Sequence, residues 1–258
     1  MTMCLPSTIC KLEGTGVDGL SEPAADDPSV QLSRQGVVLL RDVLEKRSLL
    51  RFRTAAERCF EAMETERPTQ DRYGFNPFSH SVPAATLLEF GCDGWEGLLA
   101  PLRVMRIEKV ITDAMGPGWS CDREQSWIRK KFAPRPGVER RHHFQGWHQD
   151  GALGARFAPD PGAVSPMTAL LTCWIPLDAC GVDSPGLEFI RRPQSGLLHF
   201  TELDDSALRQ RFSPEYFWVP ELELGDALIF LNSVLHRTHA HAGMGHDRMS
   251  LEFRVFPR

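Results

Sequence analysis

The segment Gly146-Trp147-His148-Gln149-Asp150-Gly151 has the residue types and spacing to bind a metal ion. On a strand, alternate side chains share a face. His148 and Asp150 would then point the same way and Gln149 the other. An imidazole nitrogen and a carboxylate oxygen can meet one divalent cation, but two ligands hold it weakly. Three histidines compete for the third position: His236, His239 and His241. His236 directly follows the apolar run Ala227-Leu-Ile-Phe-Leu-Asn-Ser-Val-Leu235, with Phe230, Asn232 and Val234 at alternate positions before it. A ligand on a strand is held more rigidly than one in a following loop, which favours His236. Two histidines and one carboxylate on one face of a metal are the facial triad of non-haem Fe(II) oxygenases. Against this stands a chance H-x-D triplet at a solvated strand end. His80, His142, His143, His199 and His246 read as surface or supporting histidines.

Arg248 opens the last apolar segment. Inside a barrel an arginine is costly unless it meets an anion, and its planar fork matches a carboxylate. Arg254 is its rival, but lies nearer the terminus and reads as solvent-facing. Thr238 and Ser250 offer hydroxyls nearby, unless they only bond local backbone.

These residues need a rigid frame, and the chain divides accordingly. Residues 1–28 are rich in Gly, Ser, Pro and Asp without a period, which suggests a flexible extension. Residues 29–258 read as one domain. Gly36-Val-Val-Leu-Leu40 reads as a first strand. Leu49, Phe52, Ala56, Cys59 and Met63 then form a helical stripe that Arg67-Pro68 ends. Residues 68–94 are punctuated by Pro and Gly, and read as a surface excursion or a lid over a pocket. Val104, Ile107, Ile111 and Met115 form a second stripe, stopped by Gly116-Pro-Gly118. From Trp119 the helical period disappears. Strands are expected at 126–132, at the H-x-D triplet, and at 168–177, 186–191, 216–224, 227–236 and 248–256. Gly225-Asp226 reads as a tight hairpin between two of them. Helices followed by about eight strands predict a mainly β fold, a sandwich or jelly roll with flanking α-helices.

Composition narrows the function classes. The 258 residues are 42% hydrophobic and 24% charged, with net charge −5, as in an ordinary folded domain. No long basic block points to nucleic acid, and no apolar run is long enough for a membrane span. The seven cysteines are scattered without a C-x-x-C pair, which suggests reduced, buried thiols. With no secretory signal at Met1–Lys11, a cytoplasmic location is expected.

Several segments together resemble the phytanoyl-CoA dioxygenase family. They are Trp147-His-Gln-Asp-Gly151, Leu171-Thr-Cys-Trp-Ile-Pro-Leu-Asp178 leading into Ser184-Pro-Gly-Leu-Glu188, Gly225-Asp-Ala-Leu-Ile-Phe230, His236-Arg-Thr238 and Arg248-Met-Ser-Leu251, with Gly36–Leu44 at the front. The likeness spans roughly residues 30–256. It implies a cupin-like double-stranded β-helix, Fe(II), 2-oxoglutarate and O2, with succinate and CO2 released as a small organic substrate is oxidised. By position, His148, Asp150 and His236 would hold iron. Arg248 would bind the far carboxylate of 2-oxoglutarate. Thr238 and Trp174, and less firmly Lys131, would line the same pocket. Relatives that halogenate lack the carboxylate ligand, so Asp150 implies hydroxylation or another oxidation. Residues 68–94 and 157–166 are where substrate contacts are expected. Two other classes use similar ligands or none. A cupin-like hydrolase or isomerase on zinc or manganese would not need Arg248 and Thr238, and a non-catalytic barrel would not need the ligand set.

Overall fold

The structure is a computed structural model that describes residues 27–66, 79–134, 146–155 and 166–258. Its helical first part is α1 (Pro28–Gln35), α2 (Lys46–Glu66), α3 (Gly94–Leu99) and α4 (Met105–Met115), with β1 (Val37–Leu40) and β2 (Ser79–Pro83) among them. The strands that follow are β3 (Ser120–Cys121), β4 (Trp127–Lys131), β5 (Leu171–Pro176) and β6 (Gly186–Ile190). After α5 (Asp205–Arg211) come β7 (Phe217–Trp218), β8 (Ala227–Leu231), β9 (Leu235–His239) and β10 (Arg248–Phe256).

The larger sheet runs β1-β8-β5-β10-β4-β2, with β3 added beside β10, and the smaller runs β7-β6-β9. Their strand pairs are antiparallel. This is the jelly-roll, double-stranded β-helix architecture the sequence predicts. Between the sheets pack Val37, Trp174, Leu187, Phe189, Leu228, Phe230 and Val234. The outer face of the large sheet is buried against the helices. There Cys173, Ile175, Ile229, Leu251, Phe253 and Val255 meet Leu49, Ala56, Cys59, Ile107 and Ile111. Both faces of the central strands are therefore covered, and strict alternation sorts their side chains. On β10 the odd-numbered residues Met249 to Val255 are apolar and face the helices. The even-numbered Arg248, Ser250, Glu252 and Arg254 form the other face.

The structure changes several expectations. Asp27, Pro28 and Gly36 delimit α1 between the expected extension and the first strand, in residues for which the sequence reading names no element. The Asp27 side chain accepts from the Ser29 amide, and Gly36 closes the helix at φ 76°. Residues 79–94 hold β2 and a 3-10 helix (Ala84–Phe90) rather than a loop. The remainder of the 68–94 excursion, residues 68–78, and most of 157–166 lie outside the described residues, as do residues 1–26. The run 227–236 is two strands, not one. A turn closed by the Val234 amide on the Leu231 carbonyl takes the chain from the large sheet to the small one. Gly225-Asp226 is not a hairpin, because the strands on either side belong to different sheets. It is a clasp: the Asp226 carboxylate accepts from Arg41, the Asp42 amide and the Glu223 amide. The Gly225 carbonyl accepts from the amides of Val43 and Leu44, with Gly225 at φ 111°. No helix among the described residues is long and apolar enough to cross a membrane.

Candidate active site

The turn after β8 is the platform for the H-x-D triplet. The Asn232 carbonyl accepts from the Gly151 amide, and the Gln149 side chain donates to the Ser233 carbonyl. Gln149 also donates to the Gly196 carbonyl and accepts from the Leu198 amide, so it is turned away from the site and pins a neighbouring loop. A Cβ on Gly151 would lie 3.0 Å from the Asn232 carbonyl oxygen, which explains the glycine after Asp150. Trp147, buried, donates its indole N–H to Asp205 of α5.

His148 and Asp150 reach a common point by a different route from the strand alternation expected. His148 forms an isolated bridge with His236, their amides and carbonyls exchanging two hydrogen bonds of 3.0 Å. Asp150 then starts a short 3-10 turn, Asp150–Ala152, instead of continuing a strand. The two imidazoles lie with ring centroids 4.1 Å apart. Their Nδ1 atoms meet the carbonyls of Gly146 and Val234, two residues back in each case. This leaves both Nε2 atoms free for a metal. One ligand atom from each of His148, Asp150 and His236 lies within 4.8 Å of the others. Burial, then the proximity of His236, pushes His148 down to about 3, so it is a neutral imidazole ready to ligate. Burial alone would raise the Asp150 carboxyl, but His236, Arg254 and the Thr172 hydroxyl hold it well below the usual range. A neutral imidazole, a second imidazole with its Nδ1 engaged and an ionised carboxylate fit a divalent metal.

His239 and His241 are not part of this group. His241 is exposed, and its Nδ1 accepts from the Gly243 amide. His80 and His199 are buried rather than superficial, and His142 and His143 lie outside the described residues.

The same cavity is lined by Trp174, Thr238, Arg248 and Lys131. Arg248 is only 1% exposed. It donates to the Pro185 carbonyl and to Ser250 Oγ, and lies over the Trp174 ring at 4.8 Å. Ser250 thus holds the arginine side chain rather than local backbone. Burial lowers the Arg248 guanidinium to about 10, so it stays charged at neutral pH. Lys131 stands directly opposite Arg248 across the β4–β10 pair. Like charges in facing positions are unfavourable unless an anion comes between them.

Arg254 contradicts the expectation of a solvent-facing residue. Its side chain is 11% exposed, and it donates through Nη2 to Asp150 Oδ1 at 3.0 Å. It lies beside Thr172 in the β5–β10 register, and Thr172 donates to Asp150 Oδ2 at 2.6 Å. Glu252 and Arg129, bound to each other through both carboxylate oxygens, extend the row. Even spacing from Arg248 was the available signal, since residues 248, 250, 252 and 254 must share a face.

The model of the family described as phytanoyl-CoA dioxygenase matches residues 32–250. No curated protein matches the sequence. Among solved structures, the non-heme alpha ketoglutarate dependent carbocyclase SnoK from nogalamycin biosynthesis is similar at 19% identity and TM-score 0.59, over 90% of this chain and 84% of that one. EctD from S. alaskensis with bound Fe is 14% identical with TM-score 0.60, over 92% and 80%. The epimerase SnoN in complex with Fe3+, alpha ketoglutarate and nogalamycin RO is 14% identical with TM-score 0.56, over 89% and 82%. These structures share the double-stranded β-helix with this chain. The family match runs from α1 into β10 and takes in the whole ligand set, so the chain belongs to the phytanoyl-CoA dioxygenase family and is a 2-oxoglutarate-dependent oxygenase that uses Fe(II) and O2.

Proposed function

We propose that residues 29–258 act as one catalytic unit that oxidises a small organic molecule, with His148, Asp150 and His236 as the iron ligands. Bound iron supplies O2 activation, with 2-oxoglutarate oxidised to succinate and CO2. The protein's own part is to bind and orient. Arg248 takes the far carboxylate of 2-oxoglutarate, with three of its five N–H donors left after Pro185 and Ser250 are served. Trp174 backs the guanidinium, and Thr238 lines the same space.

The observation that carries this reading is the sorting of charge in the cavity. Four cations and two carboxylates line it: Arg129, Lys131, Arg248 and Arg254, with Asp150 and Glu252. Arg129 is paired with Glu252, and Arg254 with Asp150. Lys131 and Arg248 remain, facing each other, without a carboxylate salt bridge among the described residues. A carboxylate between them relieves their repulsion. A hydrolase or isomerase on the same ligands would have no use for that pair.

Lys131 makes the reading testable by pH. Burial, then Arg129 and Arg248, push its ammonium down to about 7, with Glu252 opposing. Without cosubstrate the proton is lost as pH rises through about 7. A bound carboxylate favours the charged form, so binding above that pH also takes up a proton. Affinity for 2-oxoglutarate is expected to be flat below about pH 7 and to weaken above it. Calorimetric titration of the metal-loaded protein across pH checks this. Lys131→Met should bind more weakly and lose the slope; an unchanged slope would remove Lys131 from the pocket.

Asp150 directs the outcome of oxidation. Its carboxylate fills the position that a halide would need, and its charge disfavours a second anion beside it. The product is expected to carry no halide even in excess chloride, as read by product mass spectrometry once a substrate is in hand. A chlorinated product from the native enzyme would overturn this assignment.

A further inference from the structure

We infer that Arg254 is a positioning residue that, with Thr172, locks the Asp150 carboxylate so that it presents a single oxygen to the metal; the inference rests on the ligand set proposed above. The two oxygens of Asp150 are held from different strands. Thr172 Oγ1 of β5 donates to Oδ2, and Arg254 Nη2 of β10 donates to Oδ1. Oδ1 is the oxygen 3.9 Å from His236 Nε2. Oδ2 is turned toward the Thr172 hydroxyl at 2.6 Å, which leaves Oδ1 as the oxygen on the side of the histidines. Ligation through one oxygen would leave more of the metal to the 2-oxo acid and O2.

The backbone does not fix this carboxylate by itself. Asp150 begins a three-residue 3-10 turn, so no strand pairing orients its side chain. The Arg254 fork, by contrast, is held on several sides. Its Nη1 donates to Gln125, and its Nη2 also lies 3.4 Å from Glu252. Glu252 is clamped in turn by Arg129, which donates to Ser81. Arg254 Nε is buried without a hydrogen-bond partner among the described residues. Its position is explained by the carboxylate it reaches.

The test is anaerobic Co(II) titration of the full chain, followed by absorption spectroscopy of the Co(II) and Fe(II)·2-oxoglutarate forms. The proteins are the native one, Arg254→Met and Arg254→Lys. Groups that orient metal ligands typically contribute about 10–100-fold in metal affinity. Arg254→Met is expected to lose affinity in that range and to show an altered Co(II) ligand-field spectrum. Arg254→Lys keeps the charge without the fork, and should fall between the two. A role in folding alone would lower the melting temperature and leave affinity and spectrum as in the native protein; that result overturns the inference. Should Arg254→Met not fold, Arg254→Lys decides: native affinity and spectrum in it refute the lock, and a partial loss with a changed spectrum supports it. Failure of the native protein to bind one Co(II) per chain would instead overturn the ligand set itself.

Discussion

His236→Ala is expected to abolish 2-oxoglutarate turnover. The substitution removes one of the three proposed ligands, and no other histidine among the described residues joins the cluster. His239 and His241 lie outside the cluster of ligand atoms. The loss of metal affinity should exceed the ~10–100-fold typical of residues that only orient a ligand. Most of the bridge to His148 survives, because it is made by backbone amides and carbonyls. The effect should therefore appear in metal binding and succinate formation rather than in folding. His241→Ala is the matched control. It costs one bond from the Gly243 amide at an exposed position, and should leave metal content and turnover unchanged. Full turnover in His236→Ala, measured after anaerobic loading with Fe(II), would remove His236 from the site.

Arg248→Ala should raise the 2-oxoglutarate requirement by at least ~10-fold while sparing the metal. Truncating one partner of a buried, hydrogen-bonded charge pair costs about 2–5 kcal/mol, and each ~1.4 kcal/mol is a factor of ten. The substitution also strands the Pro185 carbonyl and the Ser250 hydroxyl, the two groups that now hold the guanidinium. Arg248→Lys should recover only part of the affinity, because an ammonium cannot reproduce the planar fork. Arg254→Ala should separate from it in kind: the metal is affected first and the cosubstrate second. Cosubstrate affinity from calorimetry and metal content by elemental analysis distinguish the two. Normal cosubstrate affinity in Arg248→Ala would place the anchor elsewhere among the cavity's cations.

Much of this arrangement is legible in the residues because period and burial are coupled. The helical stripes of α2 and α4 point at the outer face of the large sheet, where alternate residues of β5, β8 and β10 are apolar. The turn at Asn232-Ser233-Val234 hides in an apolar run because Phe230 before it, Val234 within it and Leu235 after it are all core residues. Its identity lies in hydrogen bonds to Gly151 and Gln149, distant in sequence. The 3-10 turn at Asp150 is invisible for the same reason. The triplet meets its partner by tertiary docking, which a local strand pattern does not encode. Arg254 is a different case. Its even spacing from Arg248 placed it inside the barrel, and proximity to the terminus was the weaker guide. Likewise Asp27-Pro28 and Gly36 carry the start and stop of α1, a short helix that begins where the expected extension ends.

The most direct test of the central assignment is anomalous diffraction at the iron edge, from crystals grown anaerobically with Fe(II) and 2-oxoglutarate. The expected result is one iron per chain, bonded to Nε2 of His148, one oxygen of Asp150 and Nε2 of His236, with the far carboxylate of 2-oxoglutarate on Arg248. Iron bound at His239 and His241, or a far carboxylate held by another cation, would contradict it.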